Sequence, residues 1–254
     1  MKLSRLTCLL SLACVLVFSQ TALADESAPT FNWTGPYAGL HFGYGFGRDD
    51  VTNVSPLPTP AIFDMAPAQV IFNTGGLVGG AQVGYNYQTG SFVVGIEADF
   101  SGSGISGSQN VSPIPGIPGG VLTAQENINW YGTLRPRLGY TVKPTVLIYA
   151  TGGLAYGNVS YMANTNFIPG HVGTEQYPAS LSTTAVGWAL GGGIEYALYK
   201  NWTIKAEFMY MNLGSESVTA NPTIPFPEDS PKYQIRYDWQ TTASIFQIGV
   251  NYKF

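Results

Sequence analysis

The feature that most constrains this chain is a strict alternation of large apolar with small or polar residues, recurring eight times along it. Period-two alternation places successive side chains on opposite faces of a strand. The first segment sets Leu40, Phe42, Tyr44 and Phe46 against Gly39, His41, Gly43 and Gly45. The second sets Leu77, Ala81, Val83, Tyr85 and Tyr87 against Gly80, Gln82, Gly84 and Asn86, and the third sets Phe92, Val94, Ile96, Ala98 and Phe100 against Gly95, Glu97 and Asp99. In the fourth, Ile128, Trp130, Leu134, Leu138 and Tyr140 oppose Asn129, Thr133, Arg135, Arg137 and Gly139. The remaining apolar faces run from Val146 to Tyr156, from Trp188 to Leu198, from Trp202 to Tyr210 and from Phe246 to Phe254.

The strand charges decide what such faces can touch. Glu97, Asp99, Arg135, Arg137, Glu195, Lys205, Glu207 and Lys253 all fall opposite the large apolar residues. A soluble sheet buries its apolar face and shows charge to water, so charge-free outer faces there would invite aggregation. In a bilayer the same pattern is required, because Lys or Arg facing mid-membrane lipid costs about 2–4 kcal/mol. Aromatics also gather at segment ends. Tyr87, Phe92, Tyr140, Tyr196, Trp202 and Phe254 mark a periplasmic ring, and Phe46, Phe100, Trp130, Tyr156, Trp188 and Tyr210 an outer one. The expected fold is all-β: an eight-stranded antiparallel transmembrane barrel, an even count as single-chain bacterial barrels require.

Composition agrees. Charged residues make up 10% of the chain, against roughly a quarter in an ordinary globular domain. Past residue 24 no run approaches the roughly 18 apolar residues that a spanning helix needs. Before that point Lys2 and Arg5, the apolar stretch 6–18 and Ala22-Leu23-Ala24 read as a removable signal peptide over residues 1–24. Residues 25–254 are then the barrel domain. Cys8 and Cys14 both fall inside the leader, which leaves the mature chain without a thiol.

Connections alternate in length. Thr89-Gly90, residues 141–144 and residues 199–201 are short turns, and 48–74, 101–127, 158–183 and 214–238 are long. Short periplasmic turns and long extracellular loops are the outer-membrane arrangement. A two-residue turn at Thr89-Gly90 sets Tyr87 against Phe92. A three-residue turn at 199–201 sets Leu198 against Trp202, Tyr196 against Ile204 and Glu195 against Lys205.

The stretches Trp33-Thr34-Gly35-Pro36-Tyr37-Ala38-Gly39, 147–157 and 187–196 resemble the small porin-like, opacity-type outer-membrane proteins of Gram-negative bacteria. The resemblance covers nearly all of the mature chain. It implies an outer-membrane location and a functionally mixed family of surface antigens, envelope-stability proteins and some haemin-binding members, with no catalytic motif to carry over. Phe246, Tyr252 and Phe254 in the last segment look like the terminal signal read by the barrel-assembly machinery.

Site motifs are few. Residues 102–107 match a dinucleotide fingerprint, but Pro113 and Pro115 follow where a phosphate-binding helix should start. The two histidines, His41 and His171, have no serine and acid spaced around them in a recognisable triad, so no catalytic residue and no metal site is assigned. His171 with Tyr161 and Tyr177 forms a weak haemin candidate in the third long loop, since His and Tyr both serve as axial ligands. Four lumen acids against four lumen bases read as a paired network filling a narrow barrel, with no wide channel. The long loops hold nine acids against Arg48, Lys232 and Arg236, which disfavours nucleic acid.

The expected function is a non-enzymatic surface protein, without a cofactor, that contributes to envelope integrity and presents loops outside. The alternatives are a haemin receptor and, after it, a small-solute porin. Outer-membrane lipid and the assembly machinery are the expected partners, and a haemin or host-surface ligand at the loops is left open.

Overall fold

The computed structural model describes residues 31–53, 69–112, 120–167, 175–221, 223 and 235–254. Residues 1–24 lie outside that set. The described residues form β1 (Gly35–Asn53), β2 (Gln69–Thr89), β3 (Phe92–Val111), β4 (Val121–Lys143), β5 (Val146–Phe167), β6 (Glu175–Tyr199), β7 (Trp202–Ala220) and β8 (Ile235–Lys253). Each strand pairs antiparallel with its sequence neighbours, and β1 pairs with β8 to close the barrel. Between the two aromatic rings no strand edge is left open, which a hydrocarbon environment demands of any sheet.

The strands run 19 to 25 residues, about twice the 9–11 needed to cross a bilayer. The excess lies at one end. Between the two aromatic rings β3 carries Phe92 to Phe100 and β7 Trp202 to Tyr210, a length matching the roughly 25 Å apolar band. Both rings are ladders of touching side chains. Phe92 meets Tyr140 at 5.4 Å below, and Phe100, Trp130 and Tyr156 follow one another at 5.5 and 6.2 Å above.

Beyond the outer ring the strands continue as an extension with its polarity inverted, in which β6 and β7 no longer pair past Trp188–Asn212. On β1, Arg48 and Thr52 point out and Asp49 and Val51 point in; on β8, Arg236 and Gln240 point out and Tyr237 and Trp239 point in. Apolar residues from all eight strands fill this extension, among them Phe72, Ile105, Leu122, Tyr161, Tyr177, Met211 and Trp239. The four long connections therefore keep far fewer residues than their alternation suggested. Only 54–68, 112–120, 168–174 and 221–234 lie between strands. Apolar residues in 158–167 and 175–183 alternate as before, but their apolar phase now faces the interior.

Three register details differ from expectation, each for a local reason. The first hairpin turns at Gly90-Ser91, so Thr89 faces Phe92 and Tyr87 faces Val94. Gly90 takes φ 59° at the first central position, which a type II′ turn requires. The shift is by two residues and leaves every face unchanged. At the third hairpin Tyr199 faces Trp202 around Lys200-Asn201, and Tyr196 meets Ile204 as expected. In β4, Asn129 is an extra residue: Ile128 pairs with Val159 and Trp130 with Asn158. That bulge turns Ile128 inward and Asn129 outward, the reverse of the sequence expectation.

Candidate functional site: the filled lumen

Seven of the eight charges assigned to the lumen meet there, within the membrane band. Arg135 is fully buried and donates to three acids: Nη1 to Glu207 at 2.8 Å, and Nη2 to Glu97 and Asp99 at 3.1 Å each. Lys205 Nζ donates to both Glu97 oxygens at 2.9 and 3.1 Å and stands 3.7 Å from Glu207. Arg137 pairs with Glu195 and lays its guanidinium 3.6 Å from the centroid of the Tyr149 ring. Neutral donors occupy much of what remains. Tyr37 donates to Glu97 at 2.8 Å, Tyr149 to Glu207 at 2.7 Å and Asn251 to Glu195 at 2.9 Å.

The exception is Lys253. It sits at the periplasmic mouth, where its Nζ donates to the Thr34 carbonyl at 2.9 Å. The network thus holds three bases and four acids. The expected register holds, but it does not by itself name the bonded partners. Glu195 and Lys205 are direct strand partners, yet each leans across the lumen, Glu195 to Arg137 and Lys205 to Glu97. Glu97 and Arg135 are direct partners and do bond. In a narrow barrel, a long side chain reaches a strand across the interior as readily as its own neighbour.

His41 completes the layer. Its Nδ1 stands 2.9 Å from Gln82 Oε1 and its Nε2 2.7 Å from Ser101 Oγ. Nδ1–H donating to the Gln82 carbonyl oxygen leaves Nε2 to accept from the Ser101 hydroxyl. A serine, a base and an orienting group stand in that order, which residue spacing did not reveal because the three come from three strands. Ser101 is wholly buried within the filled lumen. Gln82 Nε2 in turn donates to Asn251 at 2.6 Å, tying β2 to β8 across β1. Gly39 of β1 makes that bond possible, since a Cβ there would run into the Asn251 carboxamide.

The haemin candidates do not assemble as a loop site. Tyr161 and Tyr177 are buried strand residues on the inner face of the extension, and the Tyr161 hydroxyl shares a 2.8 Å hydrogen bond with Thr241. His171 lies outside the described residues. Phe246, Tyr252 and Phe254 line the lipid-facing side of β8, where Tyr252 stacks edge-on with Trp202 at 5.1 Å and the Phe254 amide donates to Pro36 at 3.0 Å.

Sequence reading missed one acidic pair, Asp49 and Glu126. Both face inward in the extension, three and four residues beyond the outer ring at Phe46 and Trp130, and both are about 1% exposed. Thr74 stands beside Asp49 and Thr241 beside Glu126, but neither hydroxyl makes a well-formed hydrogen bond to the carboxylate. Burial pushes the Asp49 carboxyl up to about 7, and burial together with the nearby Asp49 charge pushes Glu126 up to about 9. Extending the strand alternation past the aromatic ring places Asp49 inside; Glu126 turns inward through the bulge at Asn129, which the alternation does not announce.

A closed eight-stranded barrel with a charge-free outer band and two aromatic rings is an integral protein of the bacterial outer membrane. The chain belongs to the outer membrane protein beta-barrel domain family, whose profile matches residues 10–254. It is 34% identical over 251 residues to the 31 kDa outer-membrane immunogenic protein of Brucella melitensis, covering 94% of this chain and 91% of that protein. It is 29% identical over 182 residues to a 22 kDa outer membrane protein of Rhizobium leguminosarum, covering 72% of this chain and 68% of the relative. Among solved structures, OprG of Pseudomonas aeruginosa aligns with a TM-score of 0.45 and 12% identity, over 89% of this chain and 98% of that one.

Proposed function

We propose that this protein is a non-enzymatic surface protein of the outer membrane that contributes to envelope integrity and displays the four connections of its outer end. The observation that carries this reading is the filled lumen. Three bases and four acids interlock across the full width of the barrel, and apolar side chains pack the extension above them. An eight-stranded barrel is only wide enough for side chains, so this interior supports a wall-anchored structural role and no wide solute path. The immunogenic naming of the Brucella relatives supports surface display. In this reading residues 1–24 direct export and are removed, and Phe246, Tyr252 and Phe254 present the last strand to the assembly machinery.

The Ser101–His41–Gln82 chain acts here as part of the packing, because a buried hydroxyl has no substrate approach. Tyr161 and Tyr177 lend no support to haemin binding, since both are committed to the interior.

The test is a deletion strain scored for envelope leakiness and for growth on haemin as sole iron source, with the purified protein measured in a planar bilayer. Leakiness, normal haemin growth and no large stable conductance are expected. A haemin-specific growth failure, or steady conductance like that of a wide porin, would overturn the reading.

A further inference from the structure

Residues 31–34 precede the first strand, yet they are tied into the barrel at several points. Trp33 is 2% exposed, although residues 31–34 lie outside the sheet. It forms one buried apolar cluster with Val93 of β3, Leu147 of β5 and Ala197 of β6, three inward-facing residues at the periplasmic ends of their strands. Its indole N–H donates to the Pro144 carbonyl in the β4–β5 turn at 3.2 Å, and Gln88 of β2 accepts from its backbone N–H at 2.9 Å. Phe31 closes on Trp33 edge-on at 4.7 Å.

The segment is also tied down on both sides of the tryptophan. Thr34 Oγ1 accepts from the Gln88 amide at 3.0 Å, and the Thr34 carbonyl accepts from Lys253 at 2.9 Å. Lys253 Nζ also stands 5.6 Å from the Phe31 ring centroid. These anchors come from opposite parts of the rim, β2 and β8 against β5 and β6, so the segment crosses the opening instead of lying along one strand. Tryptophan suits the position: a large apolar ring with one donor that here finds a carbonyl.

We propose that residues 31–34 form a built-in stopper, with Trp33 seated in the periplasmic mouth and sealing the lumen below the ion network. The barrel is then closed twice, by charge in its middle and by an aromatic plug at its lower end. The lower seal keeps periplasmic water away from Arg137, Glu195 and their partners, where each ion pair is strongest when dry. The proposal rests on the reading above for a filled lumen, and on the short turns for which end faces the periplasm. The two fail differently: loss of the ion network shows as conductance, loss of the stopper as solvent access at its floor.

Val93 supplies the probe position, being wholly buried in the Trp33 cluster. Val93→Cys would be purified natively folded in detergent and treated with a small water-soluble methanethiosulfonate, with modification read on the peptide containing residue 93. Reaction should be slow with Trp33 in place and on the order of a hundredfold faster in Val93→Cys/Trp33→Ala, as expected when a large buried ring is deleted and local opening controls access. Heat-dependent gel mobility checks that each variant remains a barrel. Should Trp33→Ala fail to fold, Gln88→Ala and Lys253→Met loosen the anchors while leaving Trp33 intact, and each should speed labelling several-fold. Fast labelling in the Val93→Cys protein itself, or an unchanged rate in the folded stopper variants, would overturn the proposal.

Discussion

The half of the barrel in the membrane and the half standing above it obey opposite polarity rules within the same eight strands. Below the outer aromatic ring, Leu134, Leu138 and Phe100 face out and Arg135, Arg137 and Asp99 face in. Above it, Ser108, Asn127 and Ser182 face out, and Leu122, Val159 and Trp239 face in. Most ladders continue through the ring, β1–β2, β3–β4, β4–β5, β5–β6 and β7–β8 among them, while β6–β7 pairing ends at Trp188–Asn212 and β2–β3 pairing at Gly75–Ser106. What changes is the solvent. Lipid outside removes any reward for an apolar interior, so the interior can be ionic; water outside restores that reward, and an ordinary apolar core returns. The extension is in effect a soluble barrel grown on top of a membrane one.

The largest test of this contrast is to break the ionic half from within. Arg135→Met should lower the unfolding midpoint in urea by the equivalent of about 3–5 kcal/mol, since three acids lose their shared partner in a buried layer. A loss under 1 kcal/mol would mean the layer is wet, and a pore would then fit these charges better.

A second test works from outside. Leu134→Arg places a charge near mid-band on the lipid face and should cost about 2–4 kcal/mol. Ser108→Arg makes the same change on the outer wall of the extension, where substitutions generally fall within about 0.5 kcal/mol. Equal costs would erase the distinction between the two halves.

That inversion also explains how much of the fold was legible. The membrane half could be read from sequence because its apolar residues share one phase with girdle aromatics at both ends. The extension could not, since its alternation runs on in the other phase: Asn158, Ser160 and Asn164 outside, Val159, Tyr161 and Ala163 inside. A search for apolar outer faces stops at Tyr156 and assigns the rest to loops. Tyr161 and Tyr177 thereby became loop residues, and Asp49 and Glu126 were overlooked. In the lumen the residues were legible and most partners were not. Parity says which side chains point inward, but partners across a barrel depend on side-chain reach. Trp33 was visible only as part of a family motif, because a residue outside any strand has no phase to read.

The acidic pair gives a pH test confined to the extension. Folded-state values raised to about 7 and about 9 mean that Asp49 and Glu126 hold their protons in the folded extension longer than in an opened one, where carboxyls titrate near 4. Stability is therefore highest at acid pH and falls as pH rises from about 4 through those folded values, because the opened form then binds fewer protons. Amide exchange in the extension, corrected for its intrinsic pH dependence, should show opening favoured by on the order of several kcal/mol more at pH 8 than at pH 5. Exchange between the aromatic rings should not follow. Asp49→Asn with Glu126→Gln should flatten the dependence; an unchanged slope would remove these two groups as its source.

The smallest expected effect is an absence. Glu195 and Lys205 face each other directly across the β6–β7 ladder, and opposed charges on one sheet face contribute roughly 0.2–1 kcal/mol. Sequence register alone therefore makes them a coupled pair. In the folded lumen Glu195 is taken by Arg137, Thr203 and Asn251, and Lys205 by Glu97 and Glu207. A double-mutant cycle with Glu195→Gln and Lys205→Met should return a coupling near zero, within about 0.5 kcal/mol. The matching cycle of Glu195→Gln with Arg137→Met should return a clear coupling of about 1–3 kcal/mol, because that pair shares a buried hydrogen bond. Each single change leaves a partner unpaired, so both singles are destabilising, and only the cycle separates partnership from burial. Strong 195–205 coupling with weak 195–137 coupling would mean that the side chains keep to their own strands and do not lean across. The barrel centre would then be open to water, and the polarity contrast between the two halves would be one of lining and not of packing.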